Sequence, residues 1–248
     1  MIDQFLNNFK MAKLENKPFS HKIVNDIFPK AFYDKLLLSL PHLDEYTPIV
    51  KTGRVSSNYP AERYIFEINS KSINQLDEIK KEVFRNVLDL FTHPQFFSTI
   101  ASEFKDTINK RIANFNDEEK SKFGMNNFNF TMSTSLVKDL TKYKLGVHTD
   151  TPAKFLTFLF YIPKDSQNSD LGTVLYEPKD KDFNFKNKST EHYDIKDFNL
   201  VKKVKFIPNT LFIFPRTNYS YHGVQKIDNQ SVERNLLLLN FYFKEIEK

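Results

Sequence analysis

Residues 143–162 read YKLGVHTDTPAKFLTFLFYI, and two patterns meet within them. In a strand, side chains at i and i+2 point to the same face, so His148 and Asp150 present an imidazole and a carboxylate to one side. Residues 155–162 then form an apolar, β-rich run. Working outward, runs of the same kind recur at 128–137, 173–176, 201–207, 211–214, 219–224 and 235–243, separated by turn residues. Seven or eight short strands with irregular loops predict a sandwich or jelly roll. Toward the N-terminus the period changes. Residues 3–15, 29–40, 72–91 and 94–112 read as helices, with a single alternating strand at 64–68. In the third helix Ile73, Leu76, Ile79, Val83, Val87 and Leu90 fall on one face. The expectation is a mixed α+β chain. A helical part (1–125) packs on a β core (126–248), the two forming one integrated domain.

Composition narrows the function classes. Of 248 residues 40% are hydrophobic and 26 are Phe, enough to build a core and too apolar for a disordered chain. Net charge is +5, but Lys and Arg are scattered among Asp and Glu rather than gathered in a stripe, so no nucleic-acid partner is expected. The absence of Cys removes disulfides, zinc–thiolate sites and thiol nucleophiles. No run of apolar residues is long enough to span a bilayer, and the first residues lack the apolar segment of a secretory signal. The reading is therefore cytoplasmic, with no membrane partner.

A second imidazole, His222, follows in YSYHGV (219–224), on another expected strand. Two His and one carboxylate on one face of a metal form the facial triad of non-haem Fe(II) sites, which leaves coordination positions open for ligands. Twelve residues further on, Arg234 opens the apolar run, and a guanidinium stays charged when buried and grips a carboxylate with two parallel bonds. Of only five glycines, Gly146, Gly172 and Gly223 sit beside these motifs. His21, His42, His93 and His192 lack such context and read as solvated or capping residues.

The order HxD, distant His, then Arg resembles the 2-oxoglutarate- and Fe(II)-dependent oxygenases, especially the prolyl-4-hydroxylase-like branch. The resemblance runs through YKLGVHTD, FLTFLFYIP, GTVLYEP, FPRTNYSYHGV and RNLLLLNFYF, between residues 143 and 243, and the opening PFSHKIVNDIFPKAFYDKLLLSLP is similar to the lead-in of such proteins. It implies a double-stranded β-helix with packing helices. It implies His148, Asp150 and His222 as iron ligands, and Arg234 as the anchor for the distal carboxylate of the cosubstrate. It suggests Tyr161, Thr157, Tyr143 and Asn240 as further cosubstrate contacts. The implied cofactors are Fe(II), 2-oxoglutarate and O2, and the implied partner is a small-molecule or peptide substrate hydroxylated with release of succinate and CO2. The interval before Arg234 is longer than in many relatives, with Lys226 as the rival anchor, and Asp150 argues against the halogenase relatives, which lack that carboxylate. Three other readings stay open: a jelly-roll binding module that holds metal without turnover, a cupin-like enzyme with no use for Arg234, and a surface His–Asp pair. Residues 179–199 are polar, with interspersed aromatics, and read as a flap or a plain solvated loop.

Overall fold

Strand-period alternation along the longest β-strands divides the chain into an apolar outer layer and an inner cavity. The computed structural model describes residues 1–53, 55, 59, 62–124, 130–183, 192–228 and 232–246. Its helices are α1 (Ile2–Met11), α2 (Lys30–Leu38), α3 (Ser70–Ile73), α4 (Glu78–Thr92), α5 (Pro94–Glu103), α6 (Lys105–Ala113) and α7 (Asp117–Phe123). Its strands in the first half are β1 (Leu14–Glu15), β2 (His21–Val24), β3 (Thr47–Pro48) and β4 (Arg63–Glu67). The second half adds β5 (Phe130–Asp139), β6 (Leu145–His148), β7 (Lys154–Tyr161), β8 (Thr173–Pro178), β9 (Phe198–Lys203), β10 (Thr210–Pro215), β11 (His222–Val224) and β12 (Arg234–Phe243).

Two antiparallel sheets result, ordered β1-β2-β10-β7-β12-β5-β4-β3 and β6-β11-β8-β9. From β5 to β12 the chain passes back and forth between them, which is the double-stranded β-helix, or jelly roll. On β7, Leu156, Phe158 and Phe160 point outward and join Phe5, Phe96 and other helix side chains in the main core. The stacked pairs Phe96–Phe158 and Phe91–Phe160, with centroids 5.7 and 5.5 Å apart, lock the helices to the sheet. The intervening residues Thr157, Leu159 and Tyr161 point the other way, between the sheets, as do Leu236, Leu238 and Asn240 of β12.

Several boundaries differ from the expectation. The helix read over 72–91 is two helices, because Asp77 accepts a hydrogen bond from the Lys80 N–H and starts α4 afresh. Ile79, placed on its buried face, is 76% exposed. The helix over 94–112 breaks at Phe104, and the first helix stops at Met11 rather than 15. The runs at 201–207 and 219–224 shift to β9 and β11, and residues 128 and 129 lie outside the described residues. Of the expected flap, 184–191 lies outside the described residues; Phe183, Tyr193 and Phe198 pack on Tyr221. The described residues contain no helix long and apolar enough to cross a membrane.

Candidate metal centre

His148 ends β6 and His222 begins β11, and the two are paired across the ladder. Asp150 follows two residues after β6. The strand period therefore brings all three to one point: their candidate ligand atoms lie within 4.8 Å of one another. Each imidazole is oriented by its own strand. His148 Nδ1 lies 3.0 Å from the Gly146 carbonyl and His222 Nδ1 lies 2.9 Å from the Ser220 carbonyl. A carbonyl can only accept, so each Nδ1 carries the proton and each Nε2 keeps its lone pair. That is the tautomer a metal requires.

Electrostatics keep the trio in its ligating state. Burial, and then the neighbouring His222, pull His148 down to about 3, so it is neutral at physiological pH. Burial also lowers His222. Burial alone would raise Asp150, but Lys154 and the two imidazoles reverse this and hold it well below the usual carboxylate range. Lys154 Nζ donates to Asp150 Oδ1 at 2.8 Å and Thr157 Oγ1 donates to Oδ2 at 2.7 Å, fixing the carboxylate plane. Arg216, almost fully buried, donates from Nε to the Asp150 carbonyl at 3.0 Å. Arg111 binds the Pro152 carbonyl at 3.2 Å and Glu119 at 2.6 Å. The loop after His148 is thus held on both sides. Two neutral imidazoles and an ionised carboxylate in this arrangement fit a divalent cation.

The triad opens into a cavity of about 420 Å³. At its far end Arg234 donates to Asp139 Oδ2 at 2.8 Å and to the Leu171 carbonyl at 2.7 Å. Arg63 grips the same Asp139 with two bonds, at 2.6 and 2.9 Å. Two guanidiniums share one buried carboxylate, which leaves one positive charge unbalanced at the cavity wall. The intervening wall is apolar, with Ile65, Val137, Leu236 and Leu238. Asn240 Oδ1 is buried and has no hydrogen-bond partner among the described residues, an orphan acceptor of the kind a ligand satisfies. A dicarboxylate with one end at the triad and the other at Arg234 fits these features.

Thr157 and Asn240 line the cavity, whereas Tyr161 and Tyr143 are not among its lining residues. Tyr161 donates to Thr173 Oγ1 at 2.8 Å, and its ring lies 5.7 Å from the Arg234 guanidinium. Tyr143 places its ring 4.4 Å from the Arg63 guanidinium, and its hydroxyl is hydrogen-bonded to that of Tyr59 at 3.2 Å. Both rings lie beside a guanidinium. Glu233, the acid adjacent to Arg234, pairs with Lys138 instead. Lys226 pairs with exposed Asp228. Arg63, Asp139, Lys154 and Arg216 escaped the sequence reading; His192 is exposed, as expected, but also stands at the cavity wall. The His192 ring lines the cavity 5.6 Å from that of His148, while His93 caps α5 and His21 is fully buried.

No protein-family profile matches the chain, and no curated protein does. Solved structures do match in fold. A prolyl-4-hydroxylase from Pseudomonas putida is 13% identical, with TM-score 0.53, over 98% of this chain and all (100%) of that one. HygX from Streptomyces hygroscopicus, crystallised with nickel, 2-oxoglutarate and hygromycin B, is 10% identical, with TM-score 0.50, over 98% and 87%. The epimerase SnoN, in complex with Fe3+, alpha ketoglutarate and nogalamycin RO, is 10% identical, with TM-score 0.51, over 97% and 83%. The chain has the fold of the 2-oxoglutarate–Fe(II) oxygenases across nearly its whole length.

Proposed function

We propose that this chain is an Fe(II)- and 2-oxoglutarate-dependent dioxygenase that hydroxylates a small-molecule or peptide substrate. The observation that carries the reading is the convergence of His148, Asp150 and His222 at one end of a cavity whose other end holds a net positive arginine pair. The fold neighbours named above support it, since two of them hold a metal and the 2-oxo acid. His148 and His222 would hold the metal through Nε2, and Asp150 through its carboxylate. A ferrous ion held there would supply, with 2-oxoglutarate and O2, the oxidation of a C–H bond with release of succinate and CO2.

The protein's own part is placement. Arg234, with Arg63 across Asp139, receives the distal carboxylate of the 2-oxo acid. Thr173, whose hydroxyl lies 3.5 Å from the Arg234 guanidinium, completes that pocket. Asn240 offers its orphan acceptor to a donor on the bound molecules. Ile65, Val137, Leu236 and Leu238 keep water from the space between triad and arginines, where a low dielectric strengthens the carboxylate–guanidinium pair. Thr157 holds Asp150 in its ligating orientation.

The test is an anaerobic titration. Adding Fe(II) and 2-oxoglutarate to the metal-free protein should raise a weak visible absorption band, and air should then release succinate. Fe(II) and 2-oxoglutarate binding without any succinate would leave a metal-holding binding module. Metal binding without 2-oxoglutarate binding would leave a cupin-like site with no role for Arg234.

A further inference from the structure

Lys154 pairs with Asp150, and a metal that takes that carboxylate leaves open what the Lys154 ammonium then faces. Its ammonium lies 2.8 Å from Asp150 Oδ1, its side chain is 17% exposed, and it lines the cavity. The ladder fixes its position. Lys154 pairs with Tyr242, Thr157 pairs with Asn240, and Arg234 lies at the other end of β12. The inner face of β12 therefore runs from Arg234, past Leu236 and Leu238, to Asn240 at the level of Asp150's partner Thr157, and on to Tyr242 beside Lys154. Lys154 marks the end of the cavity opposite the arginine pair.

Charge makes this position informative. Among the described residues that line the cavity, the cations are Arg63, Lys154 and Arg234, and the single carboxylate is Asp150. Asp139, behind the arginines, adds a second negative charge, so the sum is three minus two, or +1. A divalent cation and a dianionic 2-oxo acid cancel each other, and the +1 persists when both are bound. It is then localised at Lys154. A cation held at the triad would compete for the same carboxylate and repel the ammonium, while Arg63 and Arg234 would take the distal carboxylate. A largely buried ammonium without an anionic partner is costly.

We propose that Lys154 receives an anionic group of the substrate, so that this site acts on an acidic molecule bearing a carboxylate or a phosphoryl group. The proposal rests on the metal and 2-oxo acid reading above. Purified protein loaded with Co(II) as a redox-inert stand-in and saturated with 2-oxoglutarate is titrated with acetate, inorganic phosphate or acetamide, and the visible Co(II) spectrum is read. Acetate or phosphate should give a saturable change. Acetamide, acetate's uncharged isostere, should bind at least roughly tenfold more weakly, the order of one charge-assisted hydrogen bond. Which anion responds separates the carboxylate from the phosphoryl class. Lys154→Met should abolish the response, and Lys154→Arg should keep it. A wild-type protein that binds Co(II) and 2-oxoglutarate but ignores both anions overturns the proposal. So does an anion response that survives in Lys154→Met, or an acetamide response as strong as that to acetate. Failure of the wild type to take up Co(II) or 2-oxoglutarate would instead strike the reading beneath it.

Discussion

His148 and His222 stand directly opposite each other in the β6–β11 ladder, with ring centroids 4.3 Å apart and each Nδ1 tied to a carbonyl two residues back on its own chain. The Nε2 edge of both rings is thus oriented by backbone carbonyls rather than by flexible side chains. Removing either ring, or replacing Asp150 by Asn, should cost more metal affinity than the roughly 10- to 100-fold typical of outer partners. Calorimetric titration with Co(II) measures it. Wild-type affinity in both His148→Ala and His222→Ala would show that the metal lies elsewhere.

Gly223 sets how closely β11 approaches β6. The register shifts between His222 and Val224, and a Cβ on Gly223 would lie 2.6 Å from the Leu145 carbonyl oxygen and 3.0 Å from that of Gly146. Backbone cannot yield as a side-chain tip can. Gly223→Ala should therefore push the strands apart and move His222 away from His148. The expected result is a metal affinity lowered by roughly 10-fold or more, with the far-ultraviolet circular dichroism of a folded protein. Unchanged affinity would mean that the ladder does not set the ligand spacing.

Arg216 fixes the loop that carries Asp150, through the 3.0 Å bond to its carbonyl. Burial and the nearby Arg111 lower its pKa to about 10, which still leaves it charged at neutral pH. Arg216→Met keeps the length of the side chain and removes the donor. It should weaken metal binding by roughly 10- to 100-fold and spare the ligands themselves. Addition of excess Co(II) should then restore thermal stability toward the wild-type value, because a ligand that binds only the folded state stabilises it.

What the sequence made legible was local. Strand period places His148 and Asp150 on one side from spacing alone, and apolar runs locate the inner strands. The helix break before Asp77 escaped because Ile73, Leu76 and Val83 keep a helical period across it, although the cap at Asp77 is a readable signal. Arg63, Asp139 and Lys154 carry no local pattern. Their meaning arises only when β4, β5, β7 and β12 lie side by side, with Arg234 reaching Asp139 across 95 positions of chain. Tyr161 and Tyr143 are the reverse case: a resemblance singled them out, and what the packing shows is each ring beside a guanidinium, 5.7 Å from Arg234 and 4.4 Å from Arg63.

The shared carboxylate makes Asp139 more critical to stability than either arginine. Asp139→Asn would leave the buried Arg234 and the largely buried Arg63 guanidiniums without their shared counter-ion. Breaking such a pair costs about 3–5 kcal/mol. Arg63→Met should cost less, because Asp139 keeps Arg234. Urea unfolding of the two variants gives the order, and a more stable Asp139→Asn protein would contradict the charge arrangement. Both variants should also bind 2-oxoglutarate differently. Asp139→Asn frees positive charge toward the cavity, whereas Arg63→Met removes it.

Acid should destabilise the metal-free protein well before the carboxylates titrate. His148 is held at about 3 in the folded chain against 6.5 for the free side chain, and His222 and His21 are lowered as well, by burial in each case. Between these values the unfolded chain takes up protons that the folded chain refuses. Stability therefore falls as pH drops below 6.5, by up to about 1.4 kcal/mol per pH unit for His148. For His148 alone this amounts to about 2 kcal/mol between pH 6.5 and 5. Chemical denaturation at several pH values checks it, with His148→Gln as the control. The variant should show a shallower slope over that window. A slope identical to the wild type's would mean that His148 takes up protons in the folded state, and the neutral imidazole of the proposed metal site would have to be abandoned.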